Sequence, residues 1–129
     1  MSFNFHFKAQ GDLEEVVNRV TDLLKQEGFG ILTRINFHEK MKEKLNKDIP
    51  PAVILGACHP PMAFEAYSRH ADFLTLIPCN VVIRQVEKGQ YAIEMIKPTE
   101  MLKPLADKEL SALAQPMEDK LAALFKKLN

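Results

Sequence analysis

Two cysteines, Cys58 and Cys79, carry most of the chemistry open to this chain of 129 residues. Cys58 ends an apolar run and leads into His59-Pro60-Pro61, as a strand end does when it meets a helix start. Cys79 follows Pro78 where another strand begins. If those strands pair antiparallel, the end of the first lies beside the start of the second and the thiols become neighbours. The 20 residues between the cysteines suffice for a helix-bearing crossover.

Three chemistries could use that corner. A thiol just before a helix feels the positive end of the dipole, which would make Cys58 a reactive thiolate with His59 as its base. Pro60 and Pro61 weaken that effect, because neither offers an N–H, and neighbours on a strand point to opposite faces. Alternatively Cys58, Cys79 and one or both of His59 and His70 could hold zinc or another soft metal, although the spacing matches no standard zinc pattern. No motif calls for a cofactor. The third option is a regulatory disulfide. Against all three stands plain burial, since free cysteine packs as a small hydrophobe.

Tyr67, on the helix after Pro61, is a further candidate ligand contact, with its ring inward and its hydroxyl at the edge. His6 and His38 fall where solvent exposure explains them, and His70 suits a helix C-terminus. The six methionines could line an adaptable pocket, but Met41, Met95 and Met117 sit where packing already accounts for them. Gly28-Phe29-Gly30 lies between helix and strand, the reverse of the dinucleotide-binding order. Nucleophile-elbow, Walker and H-E-x-x-H patterns are absent.

The elements that must hold this corner follow from hydropathy. Phe3, Phe5 and Phe7 alternate with polar residues and predict a strand with one aromatic face. Asp12 and Glu15 predict a capping box, and Leu13, Val16, Val17, Val20, Leu23 and Leu24 form a helical stripe ended by Gly28. Phe29 to Phe37 reads as a strand with Ile31, Thr33, Ile35 and Phe37 on one face. A short helix anchored by Met41 and Leu45 follows and stops at Pro50-Pro51. The run from Ala52 to Ala57 predicts a central strand covered on both faces. The helix from Pro60 to about His70 is expected to turn Phe64, Tyr67, Met62 and Ala63 inward. Two strands, around Val81–Val86 and Tyr91–Ile96, flank the turn Glu87-Lys88-Gly89-Gln90, with Arg84 and Glu94 placed for a cross-strand pair. Met101 to Ala106 reads as an irregular crossing. Asp107 then caps a last helix with Leu110, Leu113, Met117, Leu121, Leu124, Phe125 and Leu128 inward and a kink at Pro116. The sum is an α+β domain of β-α-β-β-β-β-α type, its helices packed on one face of a mainly antiparallel sheet.

Composition narrows the function. Seventeen Lys and Arg balance 17 Asp and Glu, so the chain lacks the basic excess of a nucleic-acid binder or a polybasic membrane module. An apolar fraction of 47% with 26% charged residues is ordinary globular composition, and the length fits one domain over residues 1–129. The longest uncharged stretch carries four prolines and is no transmembrane helix. Two cysteines with no export signal at the start predict reduced thiols in a cytoplasmic protein.

The motif Gly56-x-Cys58-x-Pro60, an Ala-containing helix, then Pro78-Cys79, Gly89 and Pro98 resembles the prokaryotic family called domain of unknown function 302. The likeness spans nearly the whole chain; His59 departs from it, standing where that family often has Asn. The resemblance implies an arrangement like that of the TATA-box-binding protein and a homodimer, and it implies no catalytic residue. The combined expectation is a dimeric domain that binds a small ligand or regulates through Cys58, His59, Cys79 and Tyr67. The alternatives are a thiol-dependent enzyme or redox protein using Cys58, and an interaction module pairing through an edge strand such as Phe3–Phe7 or through a helix face.

Overall fold

Asp12 starts the first helix by reciprocal capping: its carboxylate accepts from the Glu15 amide and the Glu15 carboxylate accepts from the Asp12 amide, both at 3.0 Å. The computed structural model describes residues 2–128. Strand β1 (Asn4–Gln10) leads into helix α1 (Leu13–Gln26), whose Val16, Val17, Val20, Leu23 and Leu24 are buried. Next come β2 (Gly30–Asn36), α2 (Phe37–Leu45), β3 (Ala52–Cys58) and α3 (Pro60–Arg69). A 3₁₀ segment, Ala71–Leu76, precedes the hairpin β4 (Cys79–Glu87) and β5 (Gln90–Ile96). The chain closes with α4 (Pro98–Leu102), a 3₁₀ turn at Lys103–Leu105, α5 (Lys108–Phe125) and a 3₁₀ turn at Lys126–Leu128.

All strand pairs are antiparallel, in the order β1-β5-β4-β3-β2. Phe5, Ala9, Tyr91, Ile93, Met95, Val81, Ile83, Val53, Leu55 and Ala57 alternate onto one buried face. Helices α1 and α5 supply the opposing side chains, and Phe125 stacks against Phe5 and Phe7 at 6.1 and 5.5 Å. The fold is therefore α+β, with a sheet covered on one side. No helix among the described residues is long and apolar enough to cross a membrane.

Several local expectations need correction. The sheet is covered on one face only, so β3 is not sandwiched, and Ile54 looks half-buried onto the open side. In β2 an irregularity between Ile31 and Thr33 reverses the strand's facing: Ile31 pairs with Ala57, whereas Thr33 pairs with Gly56 and Ile35 with Ile54. Partners directly opposite share a face, so Ile31 joins the core while Thr33 and Ile35 look outward. Phe3 is exposed, and the aromatic face of β1 is continued by Ala9 instead. Leu113 is also exposed; Ala114 takes its place on the buried stripe of α5, which runs through Pro116. Pro98 does not merely stop β5. It opens α4 at the first turn, where its missing N–H costs nothing. Arg84 and Glu94 do pair across the hairpin at 2.6 and 3.2 Å, and Arg84 holds the Glu94 carboxyl below its usual pKa.

Candidate functional site

Strands β3 and β4 pair so that Ala57 lies opposite Cys79, which puts Cys58 one residue further along the same corner. Both cysteines are free thiols. Cys79 shares the core face with Ala57, while the pleat alternates at Cys58, which pairs with Gly30. At this strand end both residues nevertheless border one space, and Cys58 is near enough to act on the Cys79 thiol electrostatically. That space is a cavity of about 20 Å³ lined by Cys58, Cys79, His59, Met62, Met101 and Met117, with Phe29 and Phe73 behind them. It has room for about one water molecule.

Cys79 is almost fully buried and its thiol donates to Met101 Sδ at 3.2 Å. Burial, and next the neighbouring Cys58, push its pKa up to about 12. Cys58 is half-buried, and burial raises its pKa as well. The helix start therefore does not activate it. The reason lies in the sequence: Pro60 and Pro61 occupy the first turn of α3, so the first free helical donor is the Met62 amide. His59 takes that donor, accepting from Met62 N–H at Nδ1 over 3.3 Å as the N-cap of the helix.

This makes His59 a cap. Its ring packs 5.2 Å from Phe29, and a Cβ at Gly28 would stand 3.3 Å from its Nε2. Gly28, at φ +83°, thus serves both the helix stop and the close approach of the imidazole. Burial lowers the His59 pKa, so the unfolded chain takes up the proton more readily than the folded one. The contribution is complete above the unfolded histidine value of about 6.5 and is lost as pH falls through the folded value. His59→Ala is expected to cost about 1 kcal/mol by loss of the cap, whereas His59→Asn keeps an acceptor and stays close to wild type. Urea titrations from neutral pH down to about pH 5 should show wild type losing more stability than His59→Asn. Parallel curves would refute the assignment.

Of the other anticipated residues, Tyr67 stands outside. It is 45% exposed and lines no part of the cavity; Phe64 is 71% exposed. Met62, Ala63 and Ala66 form the inner side of α3, and Phe64 lies two residues from Met62, on the opposite side of the helix. His70 is engaged elsewhere, with Nε2 2.9 Å from Asp107 Oδ2, while Asp107 Oδ1 accepts from the Leu110 amide to cap α5. The Leu110 amide, then His70, holds the Asp107 carboxyl below its ordinary pKa. The set Cys58, Cys79, His59 and His70 is not brought together as a metal site. Among the described residues no group of three or more His, Cys, Asp and Glu side chains is placed to hold a metal ion. His38 bonds through Nδ1 with the Ala52 backbone at 3.1 Å, so it ties α2 to β3 instead of facing water.

Sequence reasoning missed Met101 and the residue that positions it. Glu118, on α5, is 9% exposed and accepts from the Thr99 amide at 2.9 Å and the Thr99 hydroxyl at 2.7 Å. A carboxylate at the first turn of α4 satisfies an orphan donor and complements the helix dipole. It fixes the short helix that carries Met101 and Leu102. Glu118→Ala is expected to cost about 2 kcal/mol, while Glu118→Gln recovers at least half. Denaturant unfolding measures both, and equal stability of the alanine variant and wild type would refute the role. The available signal was a charged residue beside Met117 on an otherwise apolar stripe.

The corner and sheet together define a small α+β domain whose one-sided antiparallel sheet ends in a sulfur-lined cavity. The chain belongs to the family described as Domain of unknown function DUF302, whose model matches residues 5–128. It is similar to the crystal structure of an uncharacterized conserved DUF302 protein from Bacillus stearothermophilus, at 31% identity and a TM-score of 0.87, with all of both chains covered. No curated protein matches the chain.

Proposed function

We propose that this chain is a binding or regulatory domain that works as a homodimer and receives a small ligand in the corner between Cys58 and Cys79. One observation carries the reading. Cys58 on β3, Met62 on α3, Cys79 on β4, Met101 on α4 and Met117 on α5 all border one cavity. Five separate elements each bring a cysteine or methionine to the border of that cavity, while burial raises the pKa of both thiols. That favours binding over a nucleophilic thiol, which needs a lowered pKa. The cavity is far smaller than the roughly 300–1,000 Å³ of a drug-sized site, so its occupant is an ion or a few atoms.

Amide chemical-shift mapping of labelled, reduced protein with small fragments and simple ions tests this. Shifts centred on Cys58–Ala63 and Met101 are expected; binding confined to other surfaces would overturn the site. The open face of the sheet supports the homodimer. Ile54 and Val82 border a groove of about 370 Å³ there with Phe37, Ile49 and Pro51. Phe37 and Ile49 are exposed, and a second copy would bury what one chain leaves in water. Sedimentation at several concentrations should show the dimer, and a monomer throughout would remove it. Balanced charge supports a partner set without nucleic acid or membrane, and two unpaired thiols suit the reducing cytoplasm.

A further inference from the structure

Resting on that reading, we propose that the cavity binds one soft monovalent metal ion of the Cu(I) class, held by Cys58 and Cys79 with Met101 as the third sulfur ligand. The ligand chemistry selects the ion. Among the residues that border the cavity His59 alone carries a side-chain nitrogen, and it spends Nδ1 on the Met62 amide. Two cysteines and three methionines border the cavity, and the Cys79 and Met101 sulfurs are in contact. Thiolate and thioether ligands select Cu(I) among the first-row metals, whereas carboxylate and carbonyl oxygens suit magnesium, calcium and manganese. Structural zinc demands four ligands and uses Cys, His or carboxylate; Cys58, Cys79 and His59 border the cavity, and among the described residues no three such side chains are grouped to hold a metal ion.

Size and position agree with the chemistry. A cavity of about 20 Å³ holds a single atom-sized occupant. The contact of Cys79 with Met101 at 3.2 Å already brings a thiol and a thioether together. Cys58, half-buried, forms the side open to a donor complex, while Cys79 and Met117 form the closed side. Glu118 is the positioning residue, through Thr99 and α4, for Met101.

Binding breaks two S–H bonds and forms two Cu–S bonds, with a third bond from the Met101 thioether. Both protons pass to solvent and no electron is transferred. Because thiols must lose protons to ligate, the affinity rises with pH.

Anaerobic titration of the reduced full-length chain with Cu(I) carried by bathocuproine disulfonate tests the proposal. Transfer of one Cu(I) per chain is expected, with new thiolate-to-copper absorbance in the ultraviolet and affinity that climbs between about pH 6 and pH 8. Cys58→Ser and Cys79→Ala should each weaken binding by more than the roughly 10–100-fold that losing an outer-shell partner costs, and Met101→Leu by about 10-fold or more. Met101→Leu conserves volume, so it keeps the measurement interpretable if Cys79→Ala fails to fold. No transfer, or transfer undiminished in both Cys58→Ser and Met101→Leu, would overturn the metal. Fragment-induced shifts at Cys58–Ala63 without copper transfer would remove the ion and leave the binding corner standing; loss of both removes the corner.

Discussion

Raising the pH above the free-thiol range is expected to strip stability from the wild-type chain and to spare much of it in Cys79→Ala. Cys79 has its pKa pushed up to about 12 in the folded state, because burial disfavours the thiolate and Cys58 adds to the effect. In the unfolded chain the same thiol ionises near 8.5. The stabilising contribution is therefore whole below about 8.5 and declines as pH rises toward the folded value, since the unfolded state sheds the proton first. At about 1.4 kcal/mol per pH unit, wild type loses roughly 2 kcal/mol by pH 10 through this group. Other groups titrate in that range too, so the quantity to read is the difference between wild type and Cys79→Ala in guanidinium unfolding under reducing conditions. At neutral pH the variant is the weaker of the two, having lost a buried sulfur. The gap should close on the alkaline side. Curves that stay parallel from pH 7 to about pH 10 would show that Cys79 ionises as an exposed thiol does.

A second large effect is expected at Gly56. It pairs with Thr33 on one side and Asn80 on the other, in the middle of the strand that ends at Cys58. A Cβ there would collide with Thr33 Oγ1 and would stand 2.7 Å from Pro78 Cγ. Neither neighbour is the far end of a flexible chain, so the strands must part to admit a methyl group. Overpacking of this kind costs about 3 kcal/mol, or about 10 °C in Tm for a chain of this size. Gly56→Ala with Thr33→Gly should recover part of the loss, because the clash with Pro78 persists. Calorimetry of the three variants measures it, and a Gly56→Ala protein that melts with wild type would show the strands are free to separate. The same substitution bears on function, since Pro78 leads directly into Cys79 and any shift of its ring moves that thiol.

The parts of this architecture legible in the sequence are those where one signal dominates. Helix α1 has an unbroken stripe from Leu13 to Leu24 and a capping pair, so tertiary context had nothing to overrule. The adjacency of Cys58 and Cys79 followed from a continuous apolar strand, a crossover of sufficient length and a proline-led second strand. The facing of α3 was not legible. Met62, Ala63, Phe64, Ala66 and Tyr67 are apolar nearly all round, and periodicity cannot choose a side when large residues occupy both. The reversal in β2 depends on one extra residue in the ladder, which leaves no compositional trace. Met101 was invisible as a site-former because its contact with Cys79 joins elements distant in sequence, and Glu118 showed only as a charge on an otherwise apolar stripe, with no sign of its partner Thr99. The capping role of His59 was legible in Pro60-Pro61 itself, since two prolines leave the Met62 amide as the first donor of the helix.

The sheet order also has a consequence for how the protein is made. Among the described residues strand β1 precedes the other elements and pairs with β5 alone, with Asn4 opposite Ile96, while β2 occupies the far edge. The aromatic side of β1 is completed only when Phe125 arrives to stack on Phe5 and Phe7. A chain leaving the ribosome therefore carries β1 without its partner strand until β5 has emerged, and without its aromatic cover until α5 has. Closure waits for contacts of the greatest sequence separation, which slows folding and lengthens exposure to aggregation. A chain arrested before α5 is the form that chaperones would meet, its first strand still lacking Phe125.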